Sequence, residues 1–307
     1  MDPVPGEAVA ALDCGTNSTR LLISSPRVPE VRLMRITRLG QGVDATNKLD
    51  PEAIARTLAV LTEYRGLMDR HEVTRARLVA TSAVRDAANG EEFLHAASEA
   101  AGVPAELLDG NAEGALAFAG ATASLDLPPA AVVIIDIGGG STELVTGAAG
   151  VRGISVDLGC VRLTERFLHH DPPRTDELDA AVRFVASELD RAAAALPRLA
   201  EPGLTLVGLA GTVSTLGALA QGLRHYDRDR IHHFVLSAAV VAEWYDRLAA
   251  ETTADRGRRP GMAPGREDVI VGGVLVLREA MGRFGFDRCV VSEADILDGI
   301  AASLRET

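Results

Sequence analysis

Short apolar runs broken by glycine turns open the chain. Residues 8–12 are apolar, a Gly-containing turn follows and residues 18–23 resume the run, a pattern that predicts a β-hairpin. Asp50-Pro51 then supplies an N-cap acid and a first-turn proline, and Ile54, Leu58 and Leu61 share one face, so a helix is expected to about Met68. Strands at 77–80 and 106–108 alternate with helices at 91–101, closed by Gly102, and 111–122. Leu125-Asp-Leu-Pro-Pro129 breaks the pattern, because two successive prolines exclude continued helix.

From residue 130 the order restarts: a buried run at 132–135, a glycine turn, and strands at 142–146 and 154–156. A helix at 175–195, a strand at 205–207, a helix after Thr212, a strand near 233–236 and a helix capped by Ser237 follow. Residues 252–265, rich in Arg, Pro and Gly, read as a loop before a further helix, a strand at 289–291 and a last helix from about Asp295. Two lobes are expected, residues 1–125 and 126–307, with the helix at about 295–307 packing back on the first.

The restart is an internal repeat. With Asp13 set on Asp136, an offset of 123, Gly15 meets Gly138, Ser18 meets Ser141, Thr19 meets Thr142 and Leu21 meets Leu144. The shared pattern is Asp-x-Gly-x-x-Ser-Thr-x-Leu. A glycine turn lets backbone N–H groups converge on an anion, and the Ser and Thr add hydroxyl donors. Asn17, Ser18 and Thr19 in one copy, and Gly139, Gly140 and Ser141 in the other, are the phosphate candidates. An acid opening each copy would repel phosphate directly, so Asp13 and Asp136 are candidates for holding a divalent cation that bridges to it. At the variable position the copies diverge: Arg20 suits phosphate, whereas Glu143 would complete a Mg²⁺ site with Asp136.

A third glycine element, Val207-Gly-Leu-Ala-Gly-Thr-Val213, passes from strand to helix, where Gly211 and Thr212 would offer free N–H groups to an anion. Close packing explains many such glycines equally well. Hydrolysis also needs a group that positions and deprotonates water, and Glu113, near a helix start after Gly110 and Asn111, is the candidate; the helix dipole alone also favours an acid there.

Composition narrows the partners. Hydrophobic residues make up 47% of the 307 and aromatics 4%, which suits packed α/β layers. A formal charge of -12 argues against nucleic acid and anionic membranes as partners. Lys48 is the single lysine, and arginine is the better bidentate phosphate ligand. Cys14, Cys160 and Cys289 lack any C-x-x-C spacing, the N-terminus lacks a basic-then-apolar leader, and no run reaches about 18 apolar residues, so an unprocessed cytoplasmic protein is expected.

Taken together, residues 12–22, Ile36-Thr-Arg-Leu-Gly-Gln-Gly-Val43, Thr81-Ser-Ala-Val-Arg-Asp86, residues 135–144 and Gly208-Leu-Ala-Gly-Thr212 resemble the exopolyphosphatase and guanosine pentaphosphate phosphohydrolase family over nearly the whole chain. That resemblance implies a two-lobed actin-like ATPase fold of ribonuclease H-like type: duplicated mixed α/β sheets flanked by helices, with an interlobe cleft. It implies release of terminal phosphate from inorganic polyphosphate or guanosine pentaphosphate with Mg²⁺, for which Mn²⁺ would substitute, and it allows a homodimer. Glu113 matches the family glutamate that activates water, Asp136 and Glu143 its metal site, Arg20 and Arg85 basic positions facing the phosphate chain, and Arg266 a substrate-binding position. The short, two-lobe form is expected, and residues 291–299 depart from the familiar glycine-rich end, leaving the roles of Glu293 and Asp295 open.

Two other classes compete: a sugar or acetate kinase of the same superfamily, and a polyphosphate sensor without catalysis. Elsewhere bland readings hold. His232 and His233 lack a third ligand, Cys14 lacks an activating neighbour, Arg256, Arg258 and Arg259 are expected to be solvated, and Trp244 and Tyr245 to pack.

Overall fold

A computed structural model describes residues 8–25, 30–147 and 150–306. The chain divides into two compact units, Met1–Gly120 with Ile296–Thr307, and Ala121–Asp295.

In the first unit, β1 (Ala8–Cys14), β2 (Ser18–Ser24), β3 (Val31–Ile36), β4 (Val73–Ala80) and β5 (Ala105–Leu107) form one sheet in the order β3-β2-β1-β4-β5. The hairpin pairs β1/β2 and β2/β3 are antiparallel, and β1/β4 and β4/β5 are parallel. β1 is buried along its whole length because both its faces are covered, the condition under which a strand reads as a continuous apolar run. Ala8, Ala10, Leu12 and Cys14 share a core with Leu61 and Tyr64 of the helix Pro51–Arg70 and with Phe93 of Gly90–Ala101. The helix Ile296–Glu306 also packs on β1, and a Cβ at its Gly299 would lie 2.0 Å from the Leu116 carbonyl oxygen, so glycine permits close contact with the helix Gly110–Thr122. Asp50 caps Pro51–Arg70 as expected, accepting from the N–H groups of Glu52 and Ala53.

The second unit carries β6 (Val132–Ile137), β7 (Thr142–Thr146), β8 (Arg152–Val156), β9 (Thr205–Leu209), β10 (Val235–Ser237) and β11 (Arg288–Val291) in the order β10-β11-β9-β6-β7-β8. With β10 set aside as an antiparallel edge strand, β8-β7-β6-β9-β11 repeats β3-β2-β1-β4-β5 in order and direction. This is the duplicated mixed sheet of the actin-like fold. Its core is filled from the helices Thr175–Ala195, Ala210–Ala220, Ala238–Ala249 and Ile270–Phe284.

The departures are local. β3 escaped the pattern because its residues are half-buried or exposed without alternation. The helix expected after Thr212 starts at Ala210, so Gly211 and Thr212 lie inside its first turn. The segment read as a loop at 252–265 contains the short helix Thr253–Gly257, whose cap Thr252 accepts from the Asp255 N–H. The helix Cys160–Phe167 was not anticipated. Among the described residues, no helix is long and apolar enough to cross a membrane.

Candidate active site

The two repeated turns are the same object at backbone level. The Gly15 N–H donates to the Ser18 carbonyl at 3.0 Å, and the Gly138 N–H to that of Ser141 at 3.0 Å. A Cβ on either glycine would stand 3.2 or 3.1 Å from that oxygen. Strand register preserves the equivalence: Cys14 pairs with Thr19 and Asp13 with Arg20, as Ile137 pairs with Thr142 and Asp136 with Glu143.

The rung next to the turn is filled differently in each copy. Arg20 donates from Nε and Nη2 to Oδ2 of Asp13, at 2.9 and 2.6 Å, and Asp13 is buried. Asp13, expected as a cation ligand, thus shares its carboxylate with a guanidinium. In the second copy two buried carboxylates oppose one another. Glu143 Oε1 accepts from the hydroxyls of Ser141 at 2.8 Å and Ser155 at 2.7 Å, which fix its rotamer. Like charges directly across a strand pair repel, and oxygen donors suit a hard divalent ion, so Asp136 and Glu143 fit such a cation on chemistry alone. Among the described residues no three His, Cys, Asp or Glu side chains form a closed cage.

Each turn is braced from behind. The Gly40 N–H donates to Thr16 O at 2.8 Å, and the N–H groups of Thr37 and Arg38 reach Asn17 O at 3.2 and 3.0 Å. Gly40 has to be glycine, since a Cβ would approach Thr16 Cγ2 to 2.3 Å. Thr16 Oγ1 meets Ser82 Oγ at 2.9 Å. Thr19, expected among the phosphate donors, has its hydroxyl 2.9 Å from Thr37 Oγ1 in the interior. The side-chain amide nitrogen of Asn17 is buried and has no hydrogen-bond partner among the described residues. Ser18 stands at the start of β2, its carbonyl closing the turn. In the second unit the brace comes from residues 159–162. These supports were missed, although the dipeptides Leu39-Gly40 and Leu158-Gly159 follow the third strand of each repeat.

Arg85 and Glu113, far apart in sequence, come together. Asp109 starts the Glu113 helix, its Oδ1 accepting from the Ala112 N–H at 2.8 Å. Arg85 closes the short helix Ser82–Arg85, donates to the Leu108 carbonyl at 2.9 Å and stands 3.8 Å from Glu113 Oε2.

Gly211 and Arg266 also meet. A Cβ on Gly211 would fall 1.8 Å from Arg266 Cζ, so the buried guanidinium lies over the missing side chain at the first turn of Ala210–Ala220. Thr212 is buried against Gly273, where a Cβ would come within 2.3 Å of Thr212 Oγ1. Arg256 corrects the expectation of a solvated arginine loop. It is 2% exposed, and it donates to the Glu267 carbonyl at 2.6 Å and to Asp171 Oδ1 at 3.2 Å, tying down the segment that carries Arg266.

The bland readings hold for the thiols: all three are buried, and burial followed by the Asp13 charge pushes the Cys14 pKa up, far from a reactive thiolate. Burial raises Cys289 to about 12. His232 Nδ1 accepts from the Glu293 N–H at 3.1 Å, and the Tyr226 hydroxyl donates to Glu293 Oε2, so this histidine is tied to the chain around Glu293. Trp244 lies under the guanidinium groups of Arg247 and Arg259, and Tyr245 is buried under that of Arg278.

Known proteins resemble this chain over nearly its whole length. The chain is 46% identical to exopolyphosphatase 2 of Mycobacterium tuberculosis, over 96% of its own length and 98% of the relative's. A solved exopolyphosphatase-like protein superposes with a TM-score of 0.91 at 37% identity, covering 97% of this chain and 99% of that one. A Ppx/GppA family member from Aquifex aeolicus superposes with a TM-score of 0.80 at 33% identity, covering 99% of each. Residues 30–306 match the Ppx/GppA phosphatase family as a whole, and the chain belongs to that family.

Proposed function

We propose that the protein is an exopolyphosphatase, releasing terminal orthophosphate from inorganic polyphosphate by attack of water. The observation that carries this reading is the pair of equivalent turns, one ending in the Asp13–Arg20 pair and the other in opposed carboxylates, within a chain of this family.

The N–H groups of both turns, the Asn17 amide, Ser18, Ser141 and the N-terminal turn carrying Gly211 and Thr212 donate to phosphate oxygens, with Arg20, Arg85 and Arg266 supplying positive charge. Asp136 and Glu143 would hold Mg²⁺, with Mn²⁺ substituting, and the ion would offset charge on the phosphate chain; Asp13, paired with Arg20, would be a further oxygen donor to such an ion. Glu113 accepts a proton from water as the water oxygen bonds to the terminal phosphorus, while the bridging P–O bond breaks and its electrons leave on the shortened chain. Arg85 steers the Glu113 carboxylate. Positioning and electrostatics carry most of such a reaction because phosphoryl transfer has a loose transition state. Three buried, unpaired thiols accord with a reducing cytoplasm.

The test is phosphate release from short and long polyphosphates and from guanosine pentaphosphate, with and without Mg²⁺. Cation-dependent release from polyphosphate supports the reading. Release from guanosine pentaphosphate alone transfers it to that substrate, ATP-dependent phosphorylation of a small acceptor marks a kinase, and binding without release marks a sensor.

A further inference from the structure

The brace behind the second turn uses a side chain where the first uses backbone. The Cys160 N–H donates to Gly138 O at 3.0 Å, and those of Val161 and Arg162 to Gly139 O at 2.9 and 3.1 Å. The third carbonyl, Gly140 O, is held by a side chain: Arg162 Nε donates to it at 2.7 Å. Gly159 permits the approach, since a Cβ there would lie 2.1 Å from Gly139 O. In the first turn the corresponding carbonyls of Thr16 and Asn17 are held by backbone N–H groups from residues 37–40.

Across a planar trans peptide, C=O and the next N–H point in opposite directions. Holding the carbonyls of Gly138, Gly139 and Gly140 toward residues 160–162 therefore aims the N–H groups of Gly139, Gly140 and Ser141 away from them, as a row. None of these three N–H groups has a hydrogen-bond partner among the described residues. Successive N–H groups so aligned make an anion-binding nest. Three consecutive glycines leave those peptide planes with little steric resistance to flipping, and a flip of the Gly140–Ser141 plane would replace a donor with a carbonyl oxygen. Backbone donors guard the first two planes and the Arg162 side chain guards the last.

We infer that Arg162 is a positioning residue for phosphate binding: its Nε–H holds the Gly140 carbonyl and so fixes the Ser141 N–H as a donor to the substrate. This rests on the phosphate-binding reading of the turn given above. This role requires the donor at the Nε position; the far end of the guanidinium stands 4.0 Å from Asp157 Oδ1 and serves other contacts. Gln carries an N–H donor the same number of bonds from the backbone, whereas Met matches its length without one.

The experiment compares the wild type with Arg162→Gln and Arg162→Met in steady-state hydrolysis of polyphosphate, alongside thermal melts. A loosened turn weakens ground-state and transition-state binding together, so Arg162→Met is expected to raise KM about fivefold or more with kcat within about twofold, and Arg162→Gln to keep KM within about twofold of wild type. A role in folding alone would lower Tm and the active fraction, leaving KM where it was. An unchanged KM in folded Arg162→Met, or equal losses in Met and Gln, overturns the inference. Should Arg162→Met lose its native melt, Arg162→Lys, which keeps the charge but moves the donor one bond farther, is read in the same way: a raised KM supports the inference and a wild-type KM overturns it. If the wild type itself releases no phosphate, the proposed function fails, and the inference is then decided by calorimetric Kd for tripolyphosphate in the same proteins, with the same ordering expected and the same results against it.

Discussion

Arg20 and Asp13 face each other across one rung of the first hairpin, with Nη2 2.6 Å from Oδ2 and the aspartate side chain almost wholly buried. Removing only the cation leaves a buried carboxylate short of its main partner, and breaking such a pair costs about 3 kcal/mol. Arg20→Met is therefore expected to lower unfolding free energy by about that amount in urea titrations. The double variant Arg20→Met, Asp13→Asn should recover most of it, because the uncompensated charge has gone. Equal losses in the single and double variants would place the stability elsewhere.

The second hairpin predicts the reverse sign. Asp136 and Glu143 oppose each other on the equivalent rung, both buried. Glu143→Gln relieves their repulsion and keeps an oxygen to accept from Ser141 and Ser155, so the metal-free variant should melt at or above the wild-type Tm. Mg²⁺ should raise the wild-type Tm and leave the variant nearly unmoved, by linkage to the folded state. Cation-stimulated phosphate release should fall in parallel. A variant that still gains stability from Mg²⁺ would remove Glu143 from the cation site.

These contrasts show how much of the site the sequence carried. The repeat was legible because Asp, Gly, Ser and Thr recur at one offset, and strand register then preserves that offset in space. That Arg20 would be paired to Asp13 was not legible: the same residue types serve a phosphate or an ion pair equally well, and only the cross-strand distance decides. The braces at 37–40 and 159–162 were missed because backbone N–H groups do most of their work, and backbone leaves almost no mark on side-chain identity apart from glycines such as Gly40 and Gly159. Arg256 was misjudged because its loop composition signals solvent, whereas carbonyl oxygens of Glu251 and Glu267 draw it inside.

Glu113 carries the chemical step in the proposed reaction, with Arg85 3.8 Å away. Glu113→Gln keeps the shape and removes the base, so kcat should fall by about 100-fold or more, the usual contribution of a positioned general base, with KM close to wild type. Phosphate release under saturating polyphosphate measures it. A kcat within a few-fold of wild type would assign the base to another residue.

An acid-dependent contribution to stability resides in Glu177, at the start of the helix Thr175–Ala195. Its desolvation alone would raise its pKa. Hydrogen bonds from the His170 ring at 2.7 Å, and from the backbone N–H groups of Arg174 at 2.9 Å and His169 at 3.0 Å, outweigh that and bring it down to about 2 from 4.5. A depressed carboxylate stabilises fully above its unfolded value and loses that contribution as pH falls toward its folded one. Between pH 4.5 and about 2 the wild-type Tm should therefore fall more steeply than that of Glu177→Gln, and the two curves should converge at the acid end. Parallel curves through that window would refute the assignment.

Gly211→Ala separates stability from activity at the third glycine element. Gly211 lies in the first turn of Ala210–Ala220 and its φ is not left-handed, so alanine suits the backbone and its better helix propensity favours the fold by up to about 1 kcal/mol. The new methyl would nevertheless fall 1.8 Å from Arg266 Cζ, and the atoms in its way belong to the end of a flexible side chain. Arg266 must therefore swing aside while the helix stays in place. The buried guanidinium gives up its contacts in doing so, which offsets the propensity gain, so Tm is expected to change little or fall slightly, whereas kcat/KM for polyphosphate should drop about tenfold or more through the lost charge-assisted contact. Gly273→Ala is the contrasting case. Its methyl would meet the buried Thr212 at Oγ1 (2.3 Å) and Cβ (3.0 Å), a short side chain with no room to retreat, so the melt itself should fall. Full activity in a stable Gly211→Ala protein would mean that Arg266 packs over the glycine without touching substrate.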